Sequence, residues 1–331
     1  MNIKSHIIIA ATLSAFAGVS HAQNLCVFDP SGTSGDIYST MKDYALAAKQ
    51  WGADITLKPY TDELAAADAF KDGKQCDAVS ITGVRARQFN NFVGSIDSAG
   101  GVLDNKAAKM VITLMASPKL APDMLDHGDE VAGVTSLGLA YVMVNDRNIN
   151  SLLKLAGKSF GVLDYDVAEK IIVTKVGGNP VDLELSSIAP KFNSGQVDVL
   201  EMPAMAFKPF ELSKGMGIKG AIVRFPVAQV TDDLLIHPER FPVGYGQRSR
   251  TWFAGQLDHQ MAVVKKVESG IDPHYWMDLS PKVTPGYLKI LRESRISLAK
   301  SGIYNQKMMG ILKTSRCHED PTNYECSLHD E

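Results

Sequence analysis

The chain has 331 residues with 34 Lys and Arg against 37 Asp and Glu, a formal net charge of −3, so it lacks the basic excess expected of a nucleic-acid-binding protein. Hydrophobic residues make up 45% and charged residues 21%, as in an ordinary globular chain. Residues 1–22 read as a secretory signal: Lys4 near the start, an apolar run from Ile7 to Val19, and Ser20-His21-Ala22 as a small-x-small cleavage site. The mature protein is expected to begin near Gln23, outside the cytoplasm. A lipoprotein anchor needs small residues just before its cysteine, whereas Cys26 follows Gln23-Asn24-Leu25. No later apolar run approaches the roughly 20 residues of a spanning helix, so a soluble exported protein is expected. About 310 residues remain, enough for two lobes.

Strand-like and helix-like segments then alternate as βαβ units require. A short strand at Cys26 to Phe28 runs into "DPSGTSGD". A helix over 36–51 follows, with Tyr38, Met41, Tyr44, Ala45 and Ala48 on one face. "ITLKPY" reads as a strand, "DELAAADAFKDG" as a helix closed by Gly73, and "DAVSIT" as a third strand. This is a doubly wound half, which places ligands at the carboxyl ends of its strands. A second set begins near Leu139: strand "LAYVMVN", short helix "INSLLKLAG", strand "SFGVLD", a helix over 168–176, "NPVDLE", helix "SSIAPKFNSG" and strand "VDVLEM". "GAIVRFPVAQVTDDLLIH" supplies strands that return the chain to the first lobe, and two or three helices follow between Arg248 and Leu312. With no low-complexity linker, the lobes should be joined by strands. The expected division is 23–136 with about 230–331 as lobe I plus C-terminal helices, and 137–229 as lobe II.

Four cysteines in an exported chain suggest two disulfides. Cys317 and Cys326 flank "HEDPTNYE", whose Pro321 and Asn323 favour a turn. Cys26 and Cys76 each begin an apolar run, and these runs are adjacent parallel strands if the first units wind in the order 2-1-3. The pairing chosen is Cys26 with Cys76 and Cys317 with Cys326. Metal binding is the rival reading, but neither spacing resembles a zinc motif. Catalysis finds no G-x-S-x-G elbow and no H-E-x-x-H pair, and His237, His259 and His274 lie without partners at metal spacing. No enzyme, cofactor or metal is therefore expected.

The stretch from Leu155 to Pro203 resembles the second lobe of the TRAP-type (tripartite ATP-independent periplasmic, DctP-like) solute-binding proteins. Gly157, Gly177-Gly178, Pro180-Val181, Gly195, Val197-Asp198, Glu201 and Pro203 fall into that family's register. "CVFDPSGTSGD", "WGADI", "CDAVSITGVRARQFN" and the "TNYECSL" tail further resemble a sub-branch of solute-binding proteins, some carrying an aminoglycoside-efflux label. The resemblance implies a type II-like, two-lobed periplasmic binding protein fold, α/β, each lobe a mostly parallel doubly wound sheet. It implies a monomeric periplasmic receptor that captures a small polar solute between the lobes, with a TRAP-type permease or an efflux component as membrane partner. The alternative is an efflux or resistance accessory without an uptake role.

The departures from that family bear on the site. The arginine of its carboxylate-clamping strand falls on Gly161, and the asparagine near the end of its "vDg.en" motif falls on Met202, which replaces an amide with a weakly accepting thioether. The strand end reads Leu163-Asp164-Tyr165-Asp166. If it faces the cleft, Asp164, Tyr165 and Asp166 favour a cationic or hydroxyl-rich ligand; the competing reading is that an aspartate only caps the following helix. In the first lobe Thr82, Arg85 and Arg87 follow the third strand. One arginine, with Arg85 preferred, is expected to reach the cleft and bind an anion; the competing reading is that one arginine pairs with a first-lobe carboxylate such as Asp36 while the other is solvated. Ser31, Thr33 and Ser34 of the first loop are expected to donate to the ligand, against the simpler reading of Thr33 or Ser34 as a helix cap.

Overall fold

The computed structural model describes residues 22–331, so the expected signal segment, except Ala22, lies outside the described residues. β1 (Gln23–Phe28), α1 (Asp36–Lys49), β2 (Ile55–Tyr60), α2 (Glu63–Lys71) and β3 (Ala78–Thr82) form the first winding. α1 buries Tyr38, Met41, Tyr44 and Ala48, the apolar face its sequence spacing dictates. α2 starts where the Asp62 carboxylate accepts the Ala65 N–H at 2.9 Å. β3 turns directly into the one-turn α3 (Gly83–Ala86), and α4 (Asn105–Leu114) follows after further short helical turns.

The chain then enters β4 (Asp129–Val144), a strand of 16 residues. β5 (Ser159–Leu163), α5 (Val167–Lys175), β6 (Asn179–Leu183), α6 (Leu185–Asn193) and β7 (Val199–Pro203) make the second winding. β8 (Ala221–Ile236), again 16 residues, runs back beside β4. Three helices close the chain: α7 (Tyr245–Ser269), α8 (Thr284–Lys300) and α9 (Gln306–Glu319).

All these strands share one sheet in the order β2-β1-β3-β8-β4-β7-β5-β6. The outer triplets, β2-β1-β3 and β6-β5-β7, are internally parallel, as expected of each lobe. The two long strands are antiparallel to each other and to the triplets they touch, so the whole sheet is mixed. One end of β8 pairs with β3, from Thr82 opposite Asp232 to Ala78 opposite Ile236. One end of β4 pairs with β7, from Ala140 opposite Pro203 to Val144 opposite Val199. The halves are thus joined by continuous hydrogen-bonded strands. The β4–β8 ladder slips register at several points, and Gly138 sits in one of these bulges at φ +94°, where any side chain is strained.

Both chosen disulfides are formed, Cys26–Cys76 and Cys317–Cys326, and among the described residues no cysteine is free. The first ties β1 to the chain entering β3, which are neighbours in the 2-1-3 order. α7 lies along β4, with Phe253 stacked over Gly133, and α9 packs on α4. No described helix is long and apolar enough to cross a membrane.

Candidate functional site

The loop after β1 is folded around a carboxylate of the chain itself. Asp29 is 3% exposed; its Oδ1 accepts the Ser31 N–H at 2.8 Å and its Oδ2 the Tyr38 N–H at 3.1 Å. A Cβ at Gly35 would lie 1.9 Å from Asp29 Oδ1, so only glycine lets the loop close over it. Gly35 offers no side chain to cap α1, and Asp29 supplies the anion that this N-terminus favours. Burial raises the Asp29 pKa above the ordinary carboxylate range, against the pull of the N–H groups of Tyr38 and Ser31. The glycines of "PSGTSGD" therefore serve an internal anion, and the helix end is already occupied.

Between the two triplets lies a cavity of about 460 Å³. Ser31, Ser34 and Asp36 of the first loop line it, with Thr82 and Val84 beyond β3, Leu163 at the end of β5, and Glu201, Met202 and Pro203 of β7. Leu137 and Val230 contribute from the middle of the two long strands, where the chain passes from one half to the other. Most of the lining is apolar, Phe28, Ile37, Leu185, Met205 and Phe210 included, and among the described residues its only cation is Lys208. Of the residues singled out from sequence, Ser31, Ser34, Thr82 and Met202 border this cavity. Thr33 is exposed and lies outside it.

Of the remaining candidates, Arg85, Arg87, Tyr165 and Asp166 lie outside the cavity lining and form a polar seam between the halves. The Arg85 guanidinium, on a residue 4% exposed, lies 3.5 Å from the centre of the Tyr165 ring. Glu63 Oε2 accepts the Tyr165 hydroxyl at 2.8 Å and faces Arg85 Nε at 3.4 Å, while Glu63 Oε1 accepts the Thr82 N–H at 2.9 Å. Arg87 Nη1 reaches Asp166 Oδ1 at 3.3 Å, and its Nε donates to Gly94 O at 3.0 Å. Asp166 also caps α5, accepting the Ala168 N–H at 3.0 Å and the Glu169 N–H at 3.3 Å. Asp166 thus caps the helix as the competing reading had it, and its free interaction goes to Arg87 rather than to the cavity.

Neither arginine borders the cavity, and the carboxylate that Arg85 meets is Glu63 rather than Asp36. The reason is local: Arg85 and Arg87 sit in and just after a one-turn helix whose turn aims them along the seam. Asp164 is exposed, and its backbone carbonyl accepts from Lys170 Nζ. At Gly161 an added Cβ would meet Leu200, Val197 and Leu183, all apolar, so the strand has no room there for a clamping arginine.

Carboxyl groups crowd the buried region around the long strands. Asp97 is pushed up to about 7 by burial, although Thr231 donates to it through both N–H and hydroxyl. Asp232 is pushed up to about 8 by burial, with Ser80 as its donor. Asp233, fully buried beside Asp97 and Asp232, has no hydrogen-bond partner on either oxygen among the described residues, and burial raises it well above the usual range. Glu201 is raised to about 7 by burial and then by Asp166; Glu169 is raised by burial and then by Glu201. Among the described residues, no group of three or more His, Cys, Asp or Glu is arranged to hold a metal ion.

Asp29, Glu63, Glu201 and Lys208 were not candidates from sequence. Asp29, directly at a strand end and followed by Pro30, was the readable signal; Glu63 and Lys208 had none, because their roles depend on contacts far along the chain.

The fold has the architecture of a TRAP-type periplasmic solute-binding protein. A Ralstonia eutropha TRAP periplasmic solute-binding protein with bound (S)-2-acetolactate superposes with TM-score 0.70 at 14% identity, covering 88% of this chain and 99% of that one. One from Anaerococcus prevotii with bound D-glucuronate gives TM-score 0.71 at 12% identity, covering 91% and 99%. The family model for solute-binding protein AdeT 1/2 matches residues 45–331, and the chain belongs to that family. "Probable solute-binding protein AdeT1" of Acinetobacter baumannii is 48% identical over 305 residues, 92% of this chain and the whole of that relative.

Proposed function

We propose that this protein is a periplasmic receptor that closes two α/β halves around a small solute and delivers it to a TRAP-type membrane permease. The observation that carries the reading is the cavity at the crossing of β4 and β8, lined from both halves and bordered by cross-seam contacts. Its volume falls within the roughly 300–1,000 Å³ typical of small-molecule sites. The halves are assigned as 23–136 with about 230–331, and 137–229, which puts the crossings near Leu137 and Val230. Bound acetolactate and glucuronate in two proteins of like fold, and the solute-binding name of the family, support a receptor. Periplasmic delivery through residues 1–22 and the permease are parts of the same proposal.

Ser31, Ser34, Thr82 and Met202 are assigned to ligand contact, while Arg85, Arg87, Tyr165 and Asp166 are assigned to closure. Only a ligand with higher affinity for the closed form shifts the halves together. Native mass spectrometry of the gently purified protein is expected to show a co-purified small molecule, lost in Met205→Trp, which fills the cavity from its partly exposed wall. A bound species retained in Met205→Trp would place the ligand elsewhere. Stable association with a membrane efflux component in the absence of solute would favour the accessory reading.

A further inference from the structure

The anion-binding groups that the sequence singled out in the two halves are already held by the protein. The N-terminus of α1 is filled by Asp29, Arg85 is taken by Glu63 and Tyr165, and Arg87 by Asp166. An organic acid entering the cavity would meet Asp36 and Glu201 with only Lys208, which is exposed, to offset them. Desolvating a carboxylate there carries a large penalty that one solvated ammonium repays poorly. Glu201 differs from the other buried carboxylates: it borders the cavity and has no hydrogen-bond donor or ion-pair partner among the described residues. Among the described residues, the rest of the lining is chiefly apolar side chain, with hydroxyls only at Ser31, Ser34 and Thr82.

Building on the receptor reading above, we propose that the cavity takes a solute with an apolar body and one protonated amine paired with Glu201, and that it refuses simple organic acids. Glu201 is the specificity-determining residue, since it sits on β7 at the border between this cavity and a smaller one beside Glu169, while its neighbour Met202 contributes an apolar surface. An ammonium arriving at Glu201 completes a charge-assisted hydrogen bond that the empty cleft lacks, and it offsets the acidic excess of Glu201, Glu169 and Asp166. The hydroxyls of Ser31 and Thr82 remain for secondary polar contacts.

The test uses three probes with one body and different head groups: phenethylamine, phenylacetate and 2-phenylethanol. Each is titrated by calorimetry and thermal shift into the purified mature protein and into Glu201→Gln, Lys208→Ala and Met205→Trp. Phenethylamine alone is expected to bind measurably. Glu201→Gln, which keeps side-chain shape and is checked by circular dichroism for an unchanged fold, weakens it by about tenfold or more, as loss of a charged hydrogen bond does. Lys208→Ala tightens it by removing a like charge, and Met205→Trp abolishes it. Binding of phenylacetate, lost in Lys208→Ala, overturns the amine assignment while leaving the cavity reading standing. Failure of all three probes, with a co-purified molecule still displaced by Met205→Trp, overturns the amine assignment alone. Phenethylamine binding that survives Met205→Trp overturns both readings.

Discussion

The two outer triplets of the sheet, β2-β1-β3 and β6-β5-β7, have the same parallel winding but opposite chemistry at their strand ends. The first is stapled by Cys26–Cys76 and sends Arg85 and Arg87 from the α3 turn into the seam. The second contains no cysteine and presents Tyr165, Asp166 and Glu201. Where the two sets meet directly they neutralise one another in the seam; where they are held apart, around the cavity, the acidic side is left in excess. A shared topology thus fixes where strand ends converge, while residue choice decides whether the meeting point closes the protein or leaves a binding surface.

The largest expected effect separates the triplets mechanically. Replacing both Cys26 and Cys76 by Ser removes a bridge spanning 50 positions and should cost on the order of 4 kcal/mol in the chain-entropy model. Hydrogen exchange should show the lost protection concentrated in β1, β2 and β3, with the second triplet keeping its own; uniform loss would show that the sheet behaves as a single cooperative unit. The bridge Cys317–Cys326, spanning 9 positions, should be worth roughly 2.5 kcal/mol on the same basis.

The second prediction addresses the seam. Asp166→Ala removes both the cap of α5 and the partner of Arg87, and a loss of about 3 kcal/mol in urea unfolding is expected. Asp166→Asn keeps an acceptor for the helix N–H groups and should lose roughly half as much. Small-angle X-ray scattering should show both variants more open without solute. An unchanged radius of gyration would assign Asp166 to capping alone.

The third follows from the buried carboxyls. Asp97 and Asp232 have native pKa values of about 7 and about 8, above the ordinary range near 4 of the unfolded chain, with Asp233 facing them and Glu201 also raised. The native state therefore binds more protons than the unfolded state between those values, so stability is full below about pH 4 as far as these groups are concerned and falls as pH rises through 7 to 8. The melting temperature should drop by several degrees from pH 5.5 to pH 8.5, and Asp232→Asn, which cannot ionise, should flatten that slope. A melting temperature that does not fall over this range in the unmodified protein would mean that the native carboxyls are already ionised at the lower pH.

The smallest effect is expected at Thr33, the member of the first loop that lies outside the cavity. Thr33→Ala should change stability by less than about 0.5 kcal/mol and leave probe binding intact, whereas Ser31→Ala should weaken binding measurably. A binding defect in Thr33→Ala would extend the site along the loop.

Local pattern was enough to locate most elements: the 3.6-residue spacing of Tyr38, Met41 and Tyr44, the apolar strand runs, and Gly73 closing α2 are short-range physics that any context preserves. The 2-1-3 strand order and the Cys26–Cys76 pairing also followed, because right-handed βαβ winding leaves few ways to place two such strands, and Cys317–Cys326 followed from the local turn at Pro321 and Asn323. The length of β4 and β8 did not follow, since their register slips and their antiparallel pairing with opposite triplets are set by partners far along the chain. The site divided in the same way. Glycines, hydroxyls and the missing clamp at Gly161 were legible as residue types. Which of them face the cavity was decided by a one-turn helix that swings Arg85 and Arg87 into the seam and by Asp29 folding back on its own loop. Charges are long-range in effect but are satisfied one contact at a time, and those contacts exist only once the halves are packed against each other.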